Sequence, residues 1–170
     1  MEDLRQLVVM RHAKAEPHGD SDIERELAQR GYDDAVAAGR WLADRGFAPD
    51  EALVSAARRA MSTWLAVSEG GSFRAGAAYS GSLYLAGPET ALDLVRETPS
   101  GVTSLIVVGH NPTVAYLAQL LDDGNGDPDA GNQMAVGFPT AALARFEVTG
   151  PWRDLDLASA RLVGFHVGRG

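Results

Sequence analysis

Three places in the chain put reactive side chains directly after short apolar runs. Leu7-Val8-Val9-Met10 ends in Arg11-His12, Leu105-Ile106-Val107-Val108-Gly109 ends in His110, and Ala52-Leu53-Val54-Ser55 leads within a few residues to Arg58-Arg59. Guanidinium groups present forked donors that match phosphate oxygens. A neutral imidazole among such cations keeps a free ring nitrogen near neutral pH, because the surrounding positive charge disfavours its protonation. One of the two histidines could therefore attack phosphorus while arginines hold the phosphoryl oxygens. Amides at the start of a helix after His110 would add donors and a favourable dipole.

Bringing these groups together requires a particular kind of scaffold. Apolar runs bounded by turn residues suit strands covered on both faces, as in a parallel sheet flanked by helices. Ligands of open α/β sheets bind beyond the carboxyl ends of the strands, where all three clusters fall. The intervening stretches supply the helices. From Ala28 to Arg45, Tyr32, Ala35, Ala38, Gly39 and Leu42 form a stripe that stops at Gly46. A second helix starts near Ala57 with Ala60, Trp64 and Val67 inward, and a third spans Pro88 to Thr98 with Leu92 and Val95 inward. Asn111-Pro112 reads as an N-cap followed by proline at the first helical position, opening a helix with Val114, Leu117, Ala118 and Leu121 on one face. Further strands are expected over 73–78, 141–148 and 162–167. The alternation predicts a three-layer α/β sandwich with a mostly parallel central sheet. Two stretches read as loops: Glu16 to Glu26, with Pro17, Gly19 and five acidic residues, is expected to be exposed and mobile, and Asp122 to Asn132 is acidic and glycine-rich.

Composition narrows the function. With 170 residues, 45% of them hydrophobic, the chain can bury one sizeable core and is expected to form a single domain over 1–170. A net charge of −8 argues against nucleic acid or an anionic membrane as partner, leaving small anions held by a local arginine cluster. The absence of cysteine removes disulfides, thiolate metal sites and cysteine nucleophiles together. No signal-peptide pattern or membrane-length apolar run is seen, so a cytoplasmic enzyme or binding domain is expected.

The arrangement resembles the histidine phosphatase superfamily, which includes phosphoglycerate mutases and acid phosphatases, and within it the short SixA-like phosphohistidine phosphatase branch. Arg11-His12-Ala13 is similar to the family's Arg-His-Gly signature, with the alanine common in that branch. Ser55-Ala56-Ala57-Arg58-Arg59-Ala60-Met61-Ser62-Thr63 is similar to its Ser-Pro-x-x-Arg-Ala-x-x-Thr segment, and Val108-Gly109-His110-Asn111-Pro112 to its second histidine motif. Leu27 to Gly31 is a weaker match to its Leu-Thr-x-x-Gly helix start, with Ala28 in place of threonine. The resemblance implies a phosphoglycerate mutase-like fold and a phosphoenzyme formed on His12. It implies that Arg11 and Arg59, rather than Arg58, bind the phosphoryl oxygens, and that His110 donates to them. Asn111 joins Arg11 and Arg59 as a substrate-binding residue.

The resemblance further implies a hydrolase that needs no cofactor or metal and acts on protein phosphohistidine or another phosphoramidate. A phosphomonoesterase or mutase of small phosphorylated metabolites is the alternative within enzymology, and a non-catalytic phosphate-binding module the alternative outside it. Many family members carry a glutamate general acid, whereas Ser80-Gly81-Ser82-Leu83-Tyr84 has no acid and Glu89 belongs to a helix start. Phosphoramidates, whose imidazole can leave neutral, are therefore expected to react faster than alkyl esters. Arg58 reads as a solvated charge, His166 as structural and His18 as a loop residue. The tract from Asp122 to Asp129 fails the calcium-loop pattern: counting from Asp123, the sixth position is Pro128 and the twelfth Met134. Asn111-Pro112-Thr113 fails as a glycosylation site because of its proline.

Overall fold

The computed structural model describes residues 3–170. Its strands are β1 (Leu4–Arg11), β2 (Glu51–Ser55), β3 (Gly76–Ser80), β4 (Ser104–Gly109), β5 (Ala142–Thr149) and β6 (Ala160–Val167). Its helices are α1 (Gln29–Asp44), α2 (Arg58–Gly71), α3 (Gly81–Leu85), α4 (Pro88–Arg96), α5 (Thr113–Leu121) and α6 (Pro128–Val136). They build one sheet in the order β3-β2-β4-β1-β5-β6, in which β1 to β4 run parallel while β5 runs against β1 and β6 against β5. The mostly parallel α/β sandwich expected from the alternation is the fold observed.

The apolar runs are strands because each must feed two cores. Successive side chains point to opposite faces. Val8 and Met10 of β1, with Ile106 and Val108 of β4, pack against Ala35, Ala38 and Leu42 of α1 and Ala60, Trp64 and Val67 of α2. Leu7, Val9, Leu105 and Val107 face the other way, onto Leu92, Val95, Leu117 and Leu121 of α4 and α5. A polar residue at any of these strand positions would lie in a dry interior. Glycine sets how closely α1 and α2 lie: a Cβ at Gly39 would collide with the carbonyl of Val67. Among the described residues no helix is long and apolar enough to cross a membrane.

Three sequence expectations shift. The third strand lies at Gly76–Ser80 rather than 73–78, because its register is set by pairing with β2 from Glu51↔Gly76 to Ser55↔Ser80. Phe73 turns instead beneath α2, stacked on Trp64 and edge-on to Phe47. The stretch expected as a loop to Asn132 contains α6, capped by the Asp127 side chain with Pro128 in its first turn and Ala130 and Met134 buried. The segment expected to be exposed and mobile is exposed, yet it is tied into the fold. Ala15 bridges Leu27, residues 22–24 form a 3₁₀ turn, and Asp22 within it bonds to Arg59 and Tyr84.

Candidate active site

β1 and β4 are adjacent and parallel and end at the same level, with Arg11 opposite Gly109 and the His12 amide bonded to the Gly109 carbonyl. The next residue of each chain segment is a histidine, so His12 and His110 meet with ring centroids 5.2 Å apart. β2 flanks β4 on its other side and ends in Ser55, from which two residues lead into α2 and Arg59. Arg11, His12, Arg59, His110 and Asn111 all line one pocket of about 320 Å³, together with Lys14, Arg25 and Thr140.

Each ring is held by an identifiable partner. His12 Nδ1 lies 2.7 Å from the Ala13 carbonyl oxygen. A carbonyl can only accept, so Nδ1 carries the proton and Nε2 keeps its lone pair. The Ala13 amide in turn donates to Thr63 Oγ1, whose hydroxyl donates to the Arg59 carbonyl, tying the loop after β1 to the first turn of α2. His110 Nε2 lies 2.7 Å from Ser55 Oγ, and its Nδ1 lies 3.4 Å from Arg59 Nη2, a long contact.

Burial pushes the His12 imidazole down to about 4, helped by Arg59 and Arg11 and opposed by the bond to Ala13. Burial pushes His110 down to about 3, with His12 and Arg59 acting in the same direction. Both imidazoles are therefore neutral near neutral pH, the state a nucleophile requires.

Arg11 Nη1 and Asn111 Nδ2 converge on the Phe138 carbonyl, at 3.3 and 2.8 Å. Asn111 thus braces the 137–140 segment and does not cap α5, which begins at Thr113 after Pro112 with no side-chain cap. The Nε groups of Arg11 and Arg59 and the Asn111 Oδ1 are buried without a hydrogen-bond partner. Two orphaned guanidinium donors beside a pocket lined by four cationic side chains suit an anion with several oxygens.

Comparison with known proteins decides the family. The phosphohistidine phosphatase SixA assigned in Nakamurella multipartitia superposes with a TM-score of 0.83 at 32% identity, covering 97% of this chain and 96% of that one. This chain belongs to the histidine phosphatase superfamily, in its SixA-like branch. The SixA assigned in Agrobacterium tumefaciens agrees, with a TM-score of 0.78 at 29% identity over 95% of this chain and 97% of that one. A protein histidine phosphatase SixA complexed with tungstate has a TM-score of 0.74 at 25% identity, covering 95% of this chain and 96% of that one. An uncharacterised Mycobacterium tuberculosis protein is 41% identical over 162 residues, covering 94% of this chain and all of that protein. No family model matches the chain. Like its SixA-like relatives, the protein is a phosphatase, a hydrolase of the histidine phosphatase family.

Several residues in and around this SixA-like pocket escaped sequence reasoning, Thr140 and Ser55 among them. Lys14 and Arg25 line it, and Asp22 and Tyr84 stand beside Arg59 and His110. Arg59 Nη1 donates to the Asp22 carbonyl at 2.7 Å and Nη2 to its Oδ2 at 3.1 Å, while the Tyr84 hydroxyl donates to the same Oδ2 at 2.6 Å. The hydrogen bond from Tyr84, followed by that from Arg59, holds the Asp22 carboxyl down to about 2. No local pattern marks Asp22 or Tyr84; they are 62 residues apart and meet only in the fold. The structure keeps Arg58 outside, half-exposed and paired with Glu26, and buries Arg59. His18 does not line the pocket, and Glu89 sits exposed in the first turn of α4. The acidic tract is consumed by its own backbone: Asp122 and Asp123 accept from the amides of Gly124 and Asn125.

Proposed function

We propose that this phosphatase removes the phosphoryl group from phosphohistidine on a protein, in two displacements at His12, without a metal or cofactor. The observation that carries the reading is the held tautomer of His12, whose Nδ1–H is spent on Ala13 and whose Nε2 is left as a base among cations. In the first step the Nε2 lone pair attacks phosphorus, and the electron pair of the breaking bond stays with the departing ring. Arg11 and Arg59, with Lys14 and Arg25 on the same pocket wall, supply the positive charge that a metal would otherwise bring. In the second step water attacks phosphorus, His12 recovers its lone pair and phosphate leaves.

His110, being neutral, can donate from only one nitrogen. Ser55 Oγ accepts the Ala57 amide at 3.2 Å, which leaves the serine proton free for His110 Nε2. His110 then carries its proton on Nδ1, and anion binding exchanges the long Arg59 contact for a bond from Nδ1 to a phosphoryl oxygen. Asn111 acts at one remove, by holding the Phe138 carbonyl that Arg11 also uses. The reading takes residues 1–170 as one domain working in the cytoplasm.

A phosphomonoesterase acting on small metabolites is favoured by one observation, the Tyr84 hydroxyl near the pocket, if that phenol protonates an alkoxide. A series of leaving groups separates the two, since general-acid help is worth roughly 10²–10⁴ in rate. Phosphohistidine should exceed aryl phosphates, and aryl phosphates should exceed phosphoserine, in kcat/KM. Brief reaction with labelled phosphohistidine should leave a base-stable, acid-labile label on His12. Equal handling of phosphoserine and phosphohistidine would overturn the phosphoramidate reading, and absence of the label would overturn the phosphoenzyme.

A further inference from the structure

The carboxylate of Asp22 stands beside Arg59 and faces hydrogen-bond donors, which favour its ionised form. Its Oδ2 receives Arg59 Nη2 and the Tyr84 hydroxyl, and its Oδ1 receives Arg25 Nε at 3.2 Å. Three donors on a group with about four acceptor positions leave room for one more. The Asp22 side chain is 56% exposed where that of Arg59 is 7% exposed, so the carboxylate lies on the solvent side of the guanidinium. His12 is buried in the pocket that Arg59 also lines. In-line displacement sends the departing group away from the buried nucleophile and out toward solvent, the side on which Asp22 meets Arg59.

We propose that Asp22 is a specificity-determining residue whose carboxylate accepts the ring N–H of a protonated phosphoimidazole, and so selects phosphohistidine over phosphate esters. The inference rests on the phosphohistidine reading above. A phosphorylated imidazole can carry a proton on its second nitrogen, and the ring is then cationic. A fixed carboxylate stabilises that cation through a charge-assisted hydrogen bond. When His12 Nε2 bonds to phosphorus, the P–N electron pair returns to the ring, whose charge is already balanced by the retained proton. The imidazole leaves neutral and the enzyme transfers no proton. An ester oxygen has no such proton, and its developing alkoxide is repelled by the same carboxylate.

The test compares kcat/KM for phosphohistidine and for para-nitrophenyl phosphate in the wild-type protein, in Asp22→Asn and in Asp22→Glu. The asparagine keeps the size and a carbonyl acceptor for Arg59 but loses the charge. Its ratio of phosphohistidine to aryl ester should fall by about ten- to a hundredfold, the usual worth of a hydrogen bond between charged partners. Asp22→Glu, which keeps the charge, should retain most of the ratio. If both substrates lose equally in Asp22→Asn, the residue only positions Arg59 and the inference is overturned; an unchanged ratio overturns it too. A wild-type protein with no preference for phosphohistidine would instead remove the functional reading on which the inference rests, a separate outcome visible before any variant is made.

Discussion

His12 and His166 are both strand-associated histidines near arginines, and both have their imidazole pKa pushed down, chiefly by burial. Their surroundings nevertheless differ. His166 lies in β6, stacked on Trp41 with centroids 4.4 Å apart and rings 7° from parallel, while the guanidiniums of Arg45 and Arg145 lie 3.9 and 5.9 Å from that indole. It borders a cavity of about 940 Å³, with Phe138 and Phe165 among its walls, that contains neither His12 nor His110. His12 instead has one nitrogen held by a carbonyl and the other free in a smaller, cationic pocket. A lowered pKa and nearby arginines are common to both histidines, so the nucleophilic role proposed for His12 rests on its free nitrogen and cationic pocket. Parallel β1 and β4 deliver their next residues to the same rim, whereas antiparallel β5 and β6 place the end of one beside the start of the other, with Leu143 opposite His166.

Replacing each histidine in turn is the strongest way to break this comparison. His12→Ala should lower turnover by roughly 10⁴ or more, as nucleophile deletions do, whereas His166→Ala should stay within about threefold of the parent. Comparable losses in the two variants would mean that the larger cavity shares in the reaction. The arginines offer a second, smaller contrast. Removing a buried donor to a developing oxyanion costs roughly 10²–10³, so Arg59→Ala should lose that much in kcat while Arg145→Ala loses little. Steady-state kinetics on one aryl phosphate would suffice, and equal effects would remove Arg59 from the phosphoryl site.

The smallest expected effect is on stability. His12 and His110 are held near 4 and 3 in the folded protein, against about 6.5 when unfolded, and His166 is lowered too. Between these values the unfolded chain binds protons that the native state refuses, so their stabilising contribution is complete above about 6.5 and is lost as pH falls toward 4. His12 alone should account for at most about 2 kcal/mol between pH 7 and 5. Urea unfolding at the two pH values checks this, and His12→Asn should flatten the slope. Level stability in the parent would show that the imidazoles are freely protonated in the fold.

What the sequence determined by itself was local or periodic. The runs before Arg11, Ser55 and His110 have to be strands because nothing polar interrupts them, and the stripes of α1, α2, α4 and α5 have to be helices because their apolar residues recur at three and four. These sufficed for the fold class and for bringing Arg11, His12, the Arg58-Arg59 pair and His110 together as candidates, while the resemblance to the histidine phosphatases chose Arg59 over Arg58. Where composition stood in for pattern, the reading slipped. Glycines and acids masked the Asp127-Pro128 start of α6, and Ser80, which accepts from the Leu83 amide, opened a five-residue helix that no stripe announces. Asn111 had the form of a cap but spends its amide on a carbonyl 27 residues away.

Only the tertiary structure could place Asp22 against Arg59 and Tyr84, Ser55 against His110, and Lys14 and Arg25 in the pocket wall. The physical reason is that a hydrogen bond between residues 37 or 62 positions apart leaves no periodic trace in either segment. Its partners are chosen by where the sheet edge and the returning loop happen to meet.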